Sequence, residues 1–295
     1  MGRMSQKDQN TSIHVLEAFT ELYKVWPDEL MRTRLQEMYD LISKTIVTEK
    51  GYLTLTLEAT GEGGHSSNPP AVSTIGRLAN ALARIEANPF SPRLVVPVEA
   101  MLQSLASHMD QPEKFIFENL WLTGGLVASN MSGERSTAPL VRTTTALTMF
   151  NAGVKENVVP QRALARINFR LLPGDTPEMV VDYITGVVDD PLVAISYEQW
   201  DDMPPVAEYP GGGYGVIQAA VESVYPDAVV VPSMLMAVTD TRHYIGLADN
   251  LYRFHGVEMT MKQVTSIHGT DEYVEVESYE KSIEIARKMI ESAAQ

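Results

Sequence analysis

The sequence predicts an α/β protein. It comprises an α+β domain with helices on one face of an antiparallel sheet, a shorter α/β segment after it, and an N-terminal helical hairpin. The stretch "YLTLTLEAT" alternates strictly between apolar and polar residues, as a half-buried strand does. Strands and helices then follow in the order βα…ββαβ. The Pro- and Gly-rich stretch "DDMPPVAEYPGGGYG" separates them from a final strand and helix. These patterns are typical of a two-layer sandwich followed by a second unit.

Residues 11–47 have the apolar spacing of two helices. Apolar side chains recur at three- and four-residue intervals, which places them on one face of each helix. Pro27, followed by two acidic residues, predicts the break between the helices and the start of the second. The first stripe comprises Ile13, Leu16, Phe19, Tyr23 and Trp26, and the second comprises Leu35, Met38, Ile42 and Ile46.

The α+β domain begins near Gly51, where the apolar period changes from that of a helix to that of a strand. The leucines of "YLTLTLEAT" share one face, and the polar residues between them share the other. A helix follows over residues 75–85. Two strands lie in "VRTTTALTMF" and "RALARINFRLL", then comes a helix with Asp175 or Thr176 as its cap, and a last strand in "LVAISYEQW".

The segment after the Pro- and Gly-rich stretch reads as a smaller α/β unit. Residues 216–224 are apolar with helical spacing, "AVVVPSMLM" predicts a short buried strand, and "YEKSIEIARKMIESA" predicts a closing amphipathic helix.

Composition excludes several function classes. The net charge of −15 repels phosphate backbones, which argues against nucleic-acid binding. The chain has no cysteine, so any metal site must use His, Asp and Glu. Neither a signal peptide nor an apolar run long enough to span a bilayer is present, so we expect no membrane association and, by default, a cytoplasmic protein.

A few side chains have the chemistry and setting of site residues. His65 lies in the glycine-flanked loop "EGGHSS" after a strand, where it is either directed toward a cleft or an ordinary surface histidine. Arg242 either binds a substrate carboxylate with its planar guanidinium or pairs with Asp240. His268, in "SIHGTDE", is not a metal site by itself, because zinc takes three or four ligands.

Six stretches together resemble the M20 metallopeptidases, specifically the carboxypeptidase S (Gly-Xaa carboxypeptidase) branch. They occur in the family's order from about residue 49 to the C-terminus. The stretches are "EKGYLTLTLEATGEGGHSSNPP", "FIFENLWL", "VRTTTALTMFNAGVKENVVPQRALARINFRLLPGDTP", "TDTRHY", "NLYRF" and "IHGTDEYV". The resemblance implies a lid, or dimerisation, domain over residues 50–205 and the C-terminal part of an α/β catalytic domain over residues 206–295.

The resemblance also implies roles for single residues. His65 matches the lid histidine that, in dimers, reaches the partner's active site and stabilises the oxyanion of the tetrahedral intermediate. His268 matches a metal-ligand histidine, and Asn157 and Arg242 match positions expected to contact the substrate. The implied reaction hydrolyses a peptide or N-acyl amino acid at an amide beside a free carboxylate, with a two-zinc site and a Glu general base. A homodimer through the lid domain is implied as well.

The sequence departs from the family at the metal centre. The family's other ligands and its Glu base lie before the lid domain, where this chain has no His-x-Asp and no Glu-Glu pair. We therefore expect at most a partial zinc site, and an impaired or inactive enzyme as this chain alone. A non-catalytic dimerisation or binding module is the alternative function.

Residues 8–50 have a resemblance of their own, to a helix pair of the N-acylglucosamine/cellobiose 2-epimerase family. His14 and Glu17 match positions near that family's sugar site. A fragment of a sugar 2-epimerase is therefore the remote alternative, and residues 1–49 are expected to form a separate, epimerase-like helical hairpin.

Overall fold

The computed structural model describes residues 42–201, 203–236, 239–254, 256–267 and 269–293. Contacts between residues divide the chain into two compact units. We name the described parts of these units the sheet unit, which lies within Gly51–Ser91 and Arg142–Asp202, and the flanking unit, which lies within Met1–Lys50, Pro92–Val141 and Met203–Gln295.

The helices and strands of the described residues follow the chain in this order. The strands are β1 (Ile42–Glu49), β2 (Gly51–Thr60), β3 (Gly64–His65), β4 (Thr144–Ala152), β5 (Val158–Val159), β6 (Arg162–Leu171), β7 (Val193–Asp201) and β8 (Val229–Leu235). The helices are α1 (Thr74–Ala87), α2 (Val96–Ala106), α3 (Glu113–Glu118), α4 (Leu120–Ser132), α5 (Ala138–Val141), α6 (Pro177–Val188), α7 (Gly212–Val224), α8 (Met261–Ser266) and α9 (Val276–Ala293), with a 3₁₀ helix at Asp240–Tyr244.

An antiparallel sheet forms the sheet unit, as the sequence predicts. Its strands lie in the order β4-β6-β2-β7. The alternation in β2 places Leu53, Leu55 and Leu57 in the core, each fully buried. Helices α1 and α6 contact each other and the sheet. Thr176 caps α6, because its side chain accepts a hydrogen bond from the amide of Met179. The predicted α+β layering is therefore confirmed.

The flanking unit is built on two parallel strands, β1 and β8. Helix α2 contacts β8, and helices α7 and α9 contact each other. Ile217, Val221 and Ile285 form the centre of one apolar cluster between these helices. A second cluster contains Val47 of β1 and Tyr214 of α7. Strand β8 and helix α9 lie where the sequence predicts them.

The predicted helical hairpin is wrong at its C-terminal end. Residues 42–49 form β1 and pair with β8, so Ile42 and Ile46 belong to a strand. Their four-residue spacing fits a helix, but the run "TIVT" is β-branched, which favours a strand when a partner strand is available. The rest of the hairpin, with His14 and Glu17, lies outside the described residues.

The sequence places residues 92–141 inside the 50–205 domain, whereas their contacts assign them to the flanking unit. The domain limits at 49/50 and 205/206 stay a prediction. Within the ranges that the structure describes, no helix has both the length and the apolar character needed to cross a membrane.

Candidate functional site

His65 lies in a short two-stranded antiparallel sheet of the sheet unit. Strand β3 pairs with β5, so that His65 lies opposite Val158. The glycine before this strand is required by close packing: a Cβ at Gly63 would lie 3.0 Å from the carbonyl oxygen of Val159 and 2.5 Å from the side chain of Gln161. Gly64 has open space around it. One of the two glycines therefore allows the chain to approach β5 closely.

The hydrogen bonds of the His65 ring select its tautomer. Its Nδ1 accepts a bond from the backbone N–H of Ser67 at 3.2 Å, and lies 2.8 Å from the hydroxyl of that serine. A backbone N–H can only donate, so Nδ1 is the acceptor and the neutral ring carries its proton on Nε2. The exposed imidazole therefore offers an Nε2–H donor, which is the group that an oxyanion needs.

Asn157 directly precedes β5 and lies beside the His65 loop. Its backbone carbonyl accepts a hydrogen bond from the amide of Ser66 at 3.1 Å. Its side-chain Oδ1 is buried and has no hydrogen-bond partner in the described part of the chain. An unsatisfied buried carbonyl of this kind costs about 1–3 kcal/mol. The structure thus brings two of the four predicted site residues together, a donor and an acceptor on neighbouring strands.

A buried carboxylate, that of Glu49, is the main polar feature of the flanking unit. Glu49 ends β1 and is 1% exposed. Its Oε2 accepts hydrogen bonds from the amide and the hydroxyl of Thr239, at 3.0 and 2.6 Å, and from Nε of Arg253 at 3.1 Å. Its Oε1 has no partner in the described residues. All three bonds therefore converge on one oxygen.

Arg253 is the cation of this buried pair. Its side chain is 7% exposed, and its Nη1 donates to the carbonyl of Leu251 at 3.0 Å. Its Nη2 is buried and has no partner among the described residues. Burial lowers the pKa of the Arg253 guanidinium, and the charge and hydrogen bond of Glu49 oppose this effect.

Arg242 lies in the 3₁₀ helix that Thr239 precedes. The hydroxyl of Thr239 contacts the hydroxyl of Thr241 and accepts a hydrogen bond from the Thr241 amide at 3.3 Å. Glu49 is thus linked by hydrogen bonds to Arg253 and to Thr239. Thr239 in turn bonds to Thr241, in the first turn of the helix that carries Arg242. The stretches "EKG", "TDTRHY" and "NLYRF" meet at this point of the flanking unit.

His268, the predicted metal ligand, lies outside the described residues. It follows α8 and precedes Gly269, whose amide donates to the carbonyl of Ser266 at 2.7 Å. No group of three or more His, Cys, Asp or Glu side chains that could hold a metal ion exists within the described ranges. These residues do not by themselves form the two-metal centre that the sequence resemblance implies.

Sequence reasoning missed Glu49, Thr239 and Arg253 as site residues. Each lies within a stretch that carries the family resemblance, but no local pattern marks any of them as buried. Glu49 and Arg253 are separated by 204 positions, so their pairing has no short-range signal.

Comparison with known proteins identifies similar chains. The family profile described as "Peptidase dimerisation domain", of the M20 peptidases, matches residues 47–195. The "Probable carboxypeptidase S-like 2" of Dictyostelium discoideum is 35% identical over 270 residues, which cover 90% of this chain and 52% of that protein. The mouse "N-fatty-acyl-amino acid synthase/hydrolase PM20D1" is 36% identical over 252 residues, which cover 84% of this chain and 50% of that protein.

The chain spans about half the length of these curated relatives. Among solved structures, the M20 family metallo-carboxypeptidase Sso-CP2 from Sulfolobus solfataricus superposes with a TM-score of 0.55 at 16% identity, over 84% of this chain and 60% of that chain. A tripeptidase from Staphylococcus aureus gives a TM-score of 0.54 at 14% identity, over 86% of this chain and 54% of that chain. At these identities the superpositions show a shared fold.

Proposed function

The chain belongs to the M20 peptidase family, and from this premise we propose that it acts in zinc-dependent hydrolysis of an amide bond beside a free carboxylate. The proposed substrates are peptides and N-acyl amino acids. The observation that carries the proposal is the His65 ring, whose Nδ1 accepts the Ser67 amide so that Nε2–H is the donor. The names of the relatives, a carboxypeptidase and a fatty-acyl-amino acid synthase/hydrolase, support this choice of substrates.

The proposed roles follow from the chemistry of each side chain. Nε2–H of His65 donates a hydrogen bond to the oxygen that gains negative charge when the amide carbon becomes tetrahedral. The Oδ1 of Asn157, which has no hydrogen-bond partner among the described residues, accepts a hydrogen bond from a substrate N–H, which removes the penalty of its burial. Arg242 binds the substrate carboxylate, since a guanidinium matches the two oxygens with two parallel donors.

Zinc is the proposed metal, with His268 as one ligand. In the catalytic site of such hydrolases, zinc polarises the amide carbonyl and activates water. The described residues do not form that centre, so the proposal rests on the side chains that would bind the substrate. Of the ligands that the resemblance implies, His268 alone has a matching position in the 295-residue sequence. We therefore propose that this chain by itself hydrolyses amides poorly.

A homodimer is the proposed assembly. Strand β4 is an edge of the sheet, and its Met149 and Phe150 side chains are 49% and 44% exposed. An edge strand presents unpaired N–H and C=O groups that can pair with a second copy. In such a dimer, His65 of one copy serves the substrate bound by the other, as the family resemblance implies.

The test measures binding and turnover in parallel. The chain is titrated by calorimetry with an N-acyl amino acid and with the corresponding amide, which lacks the carboxylate, and turnover of N-acyl amino acids and Gly-Xaa dipeptides is assayed with added zinc. We expect carboxylate-dependent binding, weakened by Arg242→Met, and turnover far below that of a full-length relative. Equal binding of the acid and the amide overturns the proposed substrate class. Turnover equal to that of the relative overturns the proposed impairment.

A non-catalytic dimerisation module is the second candidate, favoured by the exposed edge strand β4. Zinc-dependent turnover separates the two, because a module hydrolyses no amide even with added zinc, whereas the proposed hydrolase retains slow turnover. Sedimentation analysis of Phe150→Lys tests the proposed dimer, because a charge on the edge strand should shift a dimer toward monomers.

A further inference from the structure

We propose that Glu49 is a positioning residue for the turn that carries Arg242, and that its carboxylate fixes this turn through Thr239. The inference deepens the proposed function, on which it rests, because Arg242 is the residue proposed to bind the substrate carboxylate. Neither the family resemblance nor any local pattern assigns a role to Glu49.

Hydrogen bonds from Thr239 tie the start of this turn to Glu49. Thr239 gives both its amide and its hydroxyl to Glu49 Oε2, at 3.0 and 2.6 Å. The same hydroxyl accepts from the amide of Thr241. The first turn of the 3₁₀ helix at Asp240–Tyr244 therefore depends on a charged acceptor that is 190 positions away in the chain. Hydrogen bonds to a charged acceptor are about twice as strong as neutral ones.

The ion pair of Glu49 and Arg253 is asymmetric. A pair that served stability alone would favour two parallel bonds between the guanidinium and both carboxylate oxygens. Here Arg253 shares with Thr239 the single oxygen Oε2, while Glu49 Oε1 and Arg253 Nη2 remain unpartnered within the described residues. This geometry gives up one charge-assisted bond and keeps the carboxylate oriented toward the turn.

Both side chains of the ion pair are buried. Glu49 is 1% exposed and the Arg253 side chain 7% exposed, so water does not compete for these bonds. Lys50 follows Glu49, and its amide donates to the carbonyl of Leu235 at 2.9 Å. This bond fixes the backbone at the end of β1 next to the end of β8.

The experiment compares two double variants that both lack the buried charges. Glu49→Met with Arg253→Met removes the acceptor that Glu49 offers to Thr239, whereas Glu49→Gln with Arg253→Met keeps a neutral acceptor oxygen in a side chain of nearly the same shape. Because neither variant leaves an unpaired buried charge, both are expected to fold. Their difference reports the acceptor and not the stability of the fold.

Two readouts are measured on the 295-residue chain. The first is hydrogen exchange at the amides of Thr239 and Thr241. The second is the ratio of the dissociation constants of N-octanoylglycinamide and N-octanoylglycine, which reports selectivity for the carboxylate. In the Met/Met variant we expect about tenfold faster exchange at both amides and about tenfold loss of selectivity. In the Gln/Met variant, whose neutral acceptor is weaker than a carboxylate, we expect both values to lie between those of the wild type and those of the Met/Met variant.

Wild-type protection and selectivity in the Met/Met variant would overturn the inference, and so would equal losses in both variants. Faster exchange with unchanged selectivity would overturn the link to Arg242 and leave a structural anchor. A wild type without selectivity for the carboxylate would overturn the proposed function, and with it the role of Glu49 in substrate binding. In that case the exchange data still decide whether Glu49 holds the turn.

Discussion

The two units hold their functional segments by different means. In the sheet unit, the His65 loop is fixed by backbone bonds to neighbouring β5 and by the amide of Ser67, two positions away. In the flanking unit, the turn with Arg242 is fixed by a buried carboxylate and a buried guanidinium that are far apart in sequence. Only the Ser67 contact is local in sequence, because the pairing with β5 and the bonds of Glu49 both join segments that are far apart in the chain.

One ion pair of the flanking unit is buried far more deeply than two pairs of the sheet unit. In the Arg77–Asp190 pair the side chains are 20% and 25% exposed, and in the Arg162–Glu58 pair they are 60% and 29% exposed. The Glu49–Arg253 pair of the flanking unit is almost fully buried. Exposed pairs contribute little to stability, whereas breaking a buried pair is strongly destabilising. Breaking the Glu49–Arg253 pair should therefore cost more stability than breaking either pair of the sheet unit.

The largest expected effect is that of Arg253→Met as a single substitution. It leaves the Glu49 carboxylate buried without a counter-charge, so we expect a loss of about 3–5 kcal/mol in the free energy of unfolding. Urea unfolding at neutral pH measures it. The Glu49→Gln, Arg253→Met double variant is the matched control and should recover most of the loss. A single variant as stable as the double variant would contradict the account.

Alkaline pH should act mainly through the flanking unit. Burial raises the pKa of Tyr209, Tyr214 and Tyr252 above the usual value. A tyrosine whose folded pKa is raised stabilises the fold fully below pH about 10, and this contribution is lost as the pH rises through the folded pKa. Each such group then lowers stability by at most about 1.4 kcal/mol per pH unit.

Tyr214→Phe tests this dependence. The hydroxyl of Tyr214 donates to the carbonyl of Val230 at 3.2 Å, so the variant should lose about 1 kcal/mol at pH about 8. Above pH about 10 the variant should lose stability less steeply than the wild type, because one titrating group is gone. Urea unfolding at several alkaline pH values measures both. Parallel pH curves for the two proteins would be the contrary result.

Acid pH should weakly lower the stability that Asp190 gives to the sheet unit. A hydrogen bond from the backbone amide of Leu192, and then the Arg77 guanidinium, hold the pKa of Asp190 below its usual range. A carboxyl whose folded pKa is depressed stabilises the fold above its unfolded pKa of about 3.9, and this contribution is lost as the pH falls through the folded pKa.

Asp190→Asn should therefore lower stability at neutral pH by less than about 1 kcal/mol, because the pair is partly exposed. The difference from the wild type should shrink as the pH falls from about 3.9 through the lowered folded pKa of Asp190. Thermal unfolding at neutral pH and at several acid pH values measures it. A loss at neutral pH as large as that of Arg253→Met would remove the contrast between the units.

The sequence was informative where structure is local. Alternation in "YLTLTLEAT" predicts β2, and the pair Asp175 and Thr176, of which Thr176 is the cap, predicts the start of α6. It was misleading at residues 42–49, because spacing alone does not separate a helix from a strand whose partner, β8, lies far along the chain. Glu49 and Arg253 could not be found this way, since burial and pairing over such a distance depend on the tertiary fold.

The tautomer of His65 tests the central claim most directly, because the proposed oxyanion contact requires a proton on Nε2. Long-range proton–nitrogen NMR of ¹⁵N-histidine-labelled chain, at pH about 9 where imidazoles are neutral, identifies the protonated ring nitrogen. We predict Nε2–H for His65. Ser67→Ala, which keeps the backbone amide that Nδ1 accepts, should give the same result. A neutral ring that carries its proton mainly on Nδ1 would contradict the account, because the donor would then point into its own loop.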